Sequence, residues 1–269
     1  MRPWYWPSEK MESRSLPMDD EYVIWGRQPV MEALESGREF NKIFMARGSA
    51  DGRIVAAARK RKIPVVEVGR SALDRMTADK QGVAPVHQGV VAQLSPILYA
   101  ELDDLVEAAK ARGEDLFVAV LDGITDPQNL GSIIRTANAA GAHGVVIPAR
   151  RSSQVSPVVV KASAGAVAHT PVARVGNIAQ TIERLKQSGV WVVGATADAK
   201  QRFHDADLTG PIAVVVGSEG KGMSRLVGEL VDFTVSIPMA GDVSSLNAGV
   251  AWAVIAFEVA RQRVIQAGS

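Results

Sequence analysis

From Leu116 onward the chain repeats one pattern: a short run of β-branched residues, a polar or glycine-rich turn, then a helical segment. "LFVAVLDG", "HGVVIP", "VWVVGAT", "PIAVVVGSE" and "FTVSIPM" read as strands. "NLGSIIRTANAAG", "SPVVVKASAGAVAH" and "NIAQTIERLKQSG" read as the helices among them. Strands this uniformly apolar have no polar face to turn toward water. They must be covered on both sides, which is the condition of a mostly parallel sheet flanked by helices. The expected fold class is therefore α/β. In such a sheet ligands bind outside the carboxyl ends of the strands, and three strands here end in conspicuous loops: "DGITDPQN", "GSEGKGMS" and "IPMAGDVSSLN". The last of these precedes a long apolar helix, so "GDVSSLN" is either a capping loop or a binding surface at a helix start.

The preceding chain is organised differently. Residues 21–95 hold "NKIFMA", "IPVVEV" and "GVVAQL" as strands and "GRIVAAARKRK" as a helix, a smaller α/β unit. "AELDDLVEAAKARG" (100–113) is an amphipathic helix closed by a glycine. The expected division is a tail over 1–20, a small domain over 21–95, a linker helix within 96–113 and the larger domain over 114–269. Charge is uneven across it. The chain carries +1 in all, yet residues 21–95 hold 12 Lys and Arg against 8 Asp and Glu. "ARKRK" (58–62) is the densest run, read either as cations decorating a helix C-terminus or as a phosphate-contacting patch.

Other features exclude chemistries. With no cysteine among 269 residues there is no disulfide, thiolate metal site or cysteine nucleophile, and a reducing cytoplasm is the expected location. No apolar run approaches the ~20 residues of a membrane span, and no membrane partner is expected. The first 20 residues lack the apolar stretch of a signal peptide. Their Trp4, Tyr5 and Trp6 sit among prolines and charges, with RNA stacking as a secondary reading. The four histidines show no metal spacing, and no metal is expected. His87 is open to a structural role or an RNA contact.

Within the loops, Asn129 stands at a helix start, where it is either an N-cap or a site residue. Leu130, Ile133, Ile134 and Ala137 form the apolar stripe of that helix. Arg135 lies off the stripe and faces either solvent or a ligand. "GSEGKGMS" is neither a Walker A loop nor G-x-G-x-x-G. Its three glycines permit close backbone approach by a ligand, and Glu219 among them can anchor a hydroxyl or cation.

Asn129 with Arg135 six residues on, then "GSEGKGMS", then "IPMAGDVSSLN" before a long helix closely resemble the three motifs of the SpoU (TrmH) family of RNA ribose 2′-O-methyltransferases. The resemblance spans about 114–265. Segment 21–95, with "WGRQPVMEAL" and "VHQGVVAQ", resembles the L30e-like RNA-binding domain found before the catalytic domain in some members. Together they are most similar to the bacterial 23S rRNA (guanosine-2′-O-)-methyltransferase branch.

The resemblance implies a trefoil-knotted sheet of the SPOUT type and S-adenosylmethionine (AdoMet) as cofactor. It also implies RNA as partner rather than DNA, and a homodimer. It matches Gly217, Ile237 and Leu246 to cofactor-contacting positions. Asn129, Arg135, Glu219, Ser245 and Asn247 match the polar catalytic set, with Arg135 acting on the 2′-hydroxyl. Where family members commonly read "SLNVSVA", this chain reads "SLNAGVA". Glycine at 249 is expected to loosen the helix start at ~1 kcal/mol relative to alanine and to remove a serine contact. A tRNA or another rRNA site as substrate, and a non-catalytic RNA-binding module of the same fold, are the alternatives. A nucleotide-binding oxidoreductase lacks its glycine fingerprint.

Overall fold

The computed structural model describes residues 22–49, 51–79 and 81–267. The aromatic tail read from Trp4, Tyr5 and Trp6 lies outside the described residues. Two sheets organise the rest. The first is built from β1 (Val23–Trp25), α1 (Arg27–Glu35), β2 (Phe40–Ala46), α2 (Gly52–Lys60), β3 (Val65–Val68), α3 (Arg70–Thr77) and β4 (Val90–Leu94). Its strand order is β1-β4-β2-β3, with β2 and β3 parallel and β4 antiparallel to both of its neighbours. β1 and α1 are elements that the pattern reading left unassigned, because three residues of strand and a helix with Pro29 in its first turn carry little periodicity.

Two features of this unit bear on open readings. His87 is buried: its Nδ1 accepts the Gly89 amide at 3.0 Å and its Nε2 donates to Asp74 at 2.9 Å. That is a structural role. Within "ARKRK", Arg61 donates to the carbonyls of Leu34 and Arg38 and lies over the Phe40 ring. Arg59, Lys60 and Lys62 remain exposed.

α4 (Leu102–Arg112) follows. It opens with a Glu101–Asp104 capping box and closes at Gly113 in the left-handed region, φ 66°. The second sheet then contains β5 (Phe117–Asp122), α5 (Pro127–Ala139), β6 (Gly144–Pro148), α6 (Pro157–Ala162), β7 (Val172–Val175), α7 (Ile178–Gln187), β8 (Trp191–Ala195), β9 (Gln201–Arg202), β10 (Ile212–Gly217), α8 (Arg225–Leu230), β11 (Phe233–Ser236) and α9 (Ala248–Ala267). The order is β7-β6-β5-β10-β8-β11-β9, and every pairing within it is parallel.

The expected burial on both faces is met in alternation. Phe117, Ala119 and Leu121 of β5 and Ile212, Val214 and Val216 of β10 pack in a core with α5 and α9. Val118, Val120, Ala213 and Val215 pack in the opposite core with α4 and α7. Trp252 of α9 is fully buried, donates to the Ile133 carbonyl at 3.1 Å and packs on Phe117.

The order also carries a crossing. After β8 the chain goes out to β9, returns to place β10 between β5 and β8, passes β8 again to form β11, and comes back as α9 on α5. A knotted passage of the kind the resemblance implies can form in such an arrangement. The helix expected from Ser156 is shorter than its pattern: Ala164 and Gly165 take positive φ, which ends α6 at Ala162. β7, β9 and α8 are further elements not read from the sequence, each too short to show a period.

The two units meet at a polar seam. Arg174 of β7 donates to the Phe40 carbonyl (2.5 Å) and to Glu39 (2.8 Å), with its guanidinium 4.2 Å from the Tyr99 ring centroid. The Tyr99 hydroxyl donates to Asn41 at 2.7 Å and accepts the Val155 amide at 2.9 Å. Burial pushes the tyrosine pKa up to about 12.

Between the amino ends of β5 and β6 His143 is fully buried. Its Nδ1 accepts the Phe117 amide at 3.0 Å and its Nε2 donates to Glu114 at 3.1 Å. Burial, aided by the Arg112 guanidinium, holds its pKa below the ordinary 6.5. The unfolded chain therefore takes up this proton before the folded one does, so stability falls as pH drops below about 6.5. Melting temperature measured from pH 7 to pH 5 should decline. His143→Asn keeps an acceptor for the Phe117 amide but cannot titrate, and should flatten that slope while lowering the melting temperature at pH 7.

Candidate active site

The carboxyl ends of β8, β10 and β11 and the start of α9 enclose a cavity of about 460 Å³, within the range of small-molecule sites. Gly217, the last residue of β10, forms its floor. A Cβ there would fall 2.1 Å from the Gly222 carbonyl carbon and 2.2 Å from the Met223 nitrogen, so only glycine lets the following loop fold back. That loop is closed in both directions between Ser218 and Gly222, at 3.0 and 2.8 Å. Gly220 and Gly222 supply the positive φ its turns require. Asp122 at the end of β5 accepts the Ser224 amide at 2.6 Å, which ties the loop to the neighbouring strand.

Ile237, Ser245 and Leu246 line the same cavity, as do Ala251 and Ile255 of α9. All three positions matched to cofactor contacts thus face one space. Ser245 is exposed in the wall.

At the edge of the cavity three loops meet in one polar knot. One oxygen of Glu219 accepts from Asn129 Nδ2 at 2.8 Å and, in a very short bond, from Asn247 Nδ2. The Ala248 amide donates to the same oxygen at 3.4 Å. Asn247 Nδ2 also donates to Asn129 Oδ1 at 2.8 Å. Asn247 Oδ1 accepts the amides of Gly249 (3.0 Å) and Val250 (3.3 Å), so this side chain caps α9. The segment "GDVSSLN" therefore caps the helix through Asn247 and lines the cavity through Ser244, Ser245 and Leu246.

Asn129 is not an N-cap. Asp126 caps α5, accepting from Gln128, and Asn129 sits a turn later, buried against Glu219. Gly249 has a packing reason. A Cβ at this position would approach Ser132 Oγ to 3.1 Å and Asn247 Oδ1 to 3.2 Å, so the α9 start lies tight on α5 rather than loosened.

Arg135 stands apart. It lies six residues along α5 from Asn129, about 9 Å of helix rise. It is exposed and makes no hydrogen bond or ion pair to a described residue, and it is not in the cavity wall. The structure thus gathers Asn129, Glu219 and Asn247, puts Gly217, Ile237, Ser245 and Leu246 around one space, and leaves Arg135 outside both. Thr196 and Asp198, just beyond β8, line the cavity without having been singled out. Their signal was the one used for the other loops: polar residues directly after a β-branched run. The Thr196 hydroxyl donates to Asp198 at 2.5 Å and lowers that carboxyl's pKa. Among the described residues no cluster of three His, Asp or Glu groups is placed to hold a metal.

Residues 116–257 match the family model of the SpoU rRNA methylase family, and residues 23–100 match that of RNA 2′-O ribose methyltransferase substrate binding. A protein of Bacillus subtilis (strain 168), YacO, named for the TrmH family of tRNA/rRNA methyltransferases, is 48% identical over 246 residues. The match covers 90% of this chain and 96% of that one. Among solved structures, the SpoU methyltransferase AviRb of Streptomyces viridochromogenes in complex with AdoMet is similar with a TM-score of 0.58 and 27% identity, covering 90% of each chain. An AdoMet-bound rRNA methyltransferase of Sinorhizobium meliloti is similar with a TM-score of 0.54 and 26% identity, covering 89% of this chain and 87% of that one.

Two glycines of the central loop should respond differently to the same change. Gly217→Ala forces a methyl group into backbone and should cost about 3 kcal/mol, the upper end for overpacking. Gly220→Ala meets no atom within 4 Å and suffers only its φ of 75°, for about 1 kcal/mol. Urea denaturation of the two variants checks the ranking.

Proposed function

Because the chain belongs to the SpoU rRNA methylase family, we propose that it transfers a methyl group from AdoMet to a ribose 2′-hydroxyl of RNA, with a guanosine of 23S rRNA as target. The observation that carries this reading is the Asn129–Glu219–Asn247 cluster at the mouth of the glycine-floored cavity. The cavity fits the cofactor in size, in the bare backbone that Gly217 leaves available, and in the apolar wall of Ile237 and Leu246. AdoMet, when bound, supplies a methyl carbon made electrophilic by its sulfonium.

The chain's own residues have three tasks. The walls orient the cofactor and shield it from water. The Glu219 cluster fixes the loops on which the ribose is positioned, an alignment task. By the family resemblance rather than by its place in the cavity wall, Arg135 is assigned to stabilising the alkoxide developing at O2′, a task suited to a guanidinium that keeps its proton. Ser245, exposed in the wall, is a hydrogen-bonding contact for the substrate.

The rRNA reading is supported by the match of residues 23–100 to a substrate-binding model and by the excess of cations there. The relatives' name covers tRNA as well. Ribose-methylation mapping of both RNAs, with and without the gene, decides between them. A homodimer in the cytoplasm completes the proposal. Val250, Phe257 and Val264 recur every seven residues along α9, all about half exposed or more, at 48, 53 and 73%. That stripe suits a second copy, and light scattering should give twice the chain mass.

Arg135→Ala should leave stability within about ±0.5 kcal/mol, as for surface changes, and AdoMet affinity nearly unchanged. Single-turnover methylation should fall by roughly 10²–10³-fold, the scale of losing one oxyanion donor. Lysine at 135 should restore little, lacking the planar fork. Near-normal turnover in folded Arg135→Ala would remove Arg135 from the mechanism.

A further inference from the structure

We propose that Arg150 and Arg151 form a binding site for the phosphodiester backbone of the substrate RNA, on the seam between the two sheets. The inference rests on the RNA-modifying reading above and adds a site to it. The segment between β6 and α6 is short and heavily pinned. The Ser152 hydroxyl and the Gln154 amide both donate to the Pro148 carbonyl, at 2.6 and 2.9 Å. The Ser153 amide donates to the Ile124 carbonyl at 2.7 Å, joining the segment to the loop that leads to Asn129. Val155 accepts from Asn41 of β2 at 2.6 Å and donates to Tyr99 at 2.9 Å, joining it to the smaller unit. One segment therefore touches both the unit expected to hold RNA and the loop at the candidate site.

At its tip stand two consecutive arginines. Both are exposed, and neither has a hydrogen bond or ion pair to a described residue. Arg151 holds φ at 58°, a conformation a long side chain rarely adopts without enforcement. Three other arginines serve internal tasks: Arg61 and Arg263 bind backbone carbonyls, and Arg174 binds both a carbonyl and a carboxylate. A rigid segment that presents two unpaired guanidiniums is built for an anion from outside.

Position selects the anion. β6 lies two strands from β10 on the same carboxyl edge of the sheet, about 10 Å at the usual strand spacing. That is about three nucleotide steps along one strand of a nucleic acid. The tip thus sits where backbone phosphates beside a ribose at the cavity would run, with guanidinium forks suited to them.

The test uses the full chain and in vitro transcribed 23S rRNA, with affinity measured across a salt series. In Arg150→Ala/Arg151→Ala the log–log salt slope should become shallower by about 1.5, two phosphate contacts at 0.7–0.9 each. KM for RNA should rise, while kcat at saturating RNA, AdoMet binding and melting temperature stay at the wild-type level. Arg150→Lys/Arg151→Lys should keep most of the slope, because lysine also binds phosphate as a point charge. An unchanged slope in the alanine variant overturns the site. So does a lysine variant as impaired as the alanine one, or a changed oligomeric mass with the slope intact. Wild-type protein that neither binds nor methylates RNA would instead overturn the functional reading beneath it.

Discussion

The Glu219 carboxylate is where three distant parts of the chain become one site. One of its two oxygens accepts from Asn129 at the start of α5, from Asn247 at the cap of α9 and from the Ala248 amide. Asn129, Asn247 and Ala248 lie 90, 28 and 29 positions away in sequence. Glu219 reaches them because Gly217 lets its loop fold back on itself and Asp122 holds the far end of that loop through Ser224. Asn129 is nearly buried, so removing the carboxylate would leave its amide without an acceptor at a place water reaches poorly, which is costlier than losing an exposed bond. Ser244, Ser245 and Leu246, which immediately precede Asn247, line the cavity beside this junction.

Asn247 shows how structure and site share one side chain. Its oxygen caps α9 while its nitrogen binds Asn129 and Glu219. The capping amides require the oxygen on one side, and this fixes which end of the amide faces the cavity. Close approach of α9 to α5 brings the cap within reach, and Gly249 against Ser132 makes the approach possible. The ~1 kcal/mol that glycine costs inside a helix comes with close packing, since a Cβ here would lie 3.1 Å from Ser132 Oγ and 3.2 Å from Asn247 Oδ1.

The seam between the sheets applies the same economy. Tyr99, Asn41, Val155, Arg174 and Glu39 are joined by hydrogen bonds, and the Arg174 guanidinium lies over the Tyr99 ring. The Arg174–Glu39 ion pair is by itself weak evidence for stability. With these hydrogen bonds it joins the smaller unit to β7 and to the segment after β6, on which Arg150 and Arg151 are exposed.

Periodicity and composition alone determined the α/β class, the parallel sheet with both faces covered, α4 with its glycine cap and the rule that strand-end loops carry the site. Those follow from local physics: β-branched runs have no polar face, and glycine takes positive φ. The resemblance singled out the residues, and it could do so because loop residues recur at fixed offsets from strand ends. What the sequence could not show is anything that depends on pairing across distance. Asn129 reads as either an N-cap or a site residue until α5 is seen to begin at Pro127 with Asp126 as its cap. Gly249 reads as a weakness until Ser132 is seen beside it. β1, β7 and β9 have too few residues for a period and exist because a neighbouring strand offers its edge. Arg135 reads as a member of the polar set, yet tertiary structure places it outside the cavity wall, because a helix carries its sixth residue about 9 Å onward. The gathering of Asn129, Glu219 and Asn247 was decided by the return of the chain between β5 and β8, a choice of strand order that no local propensity encodes.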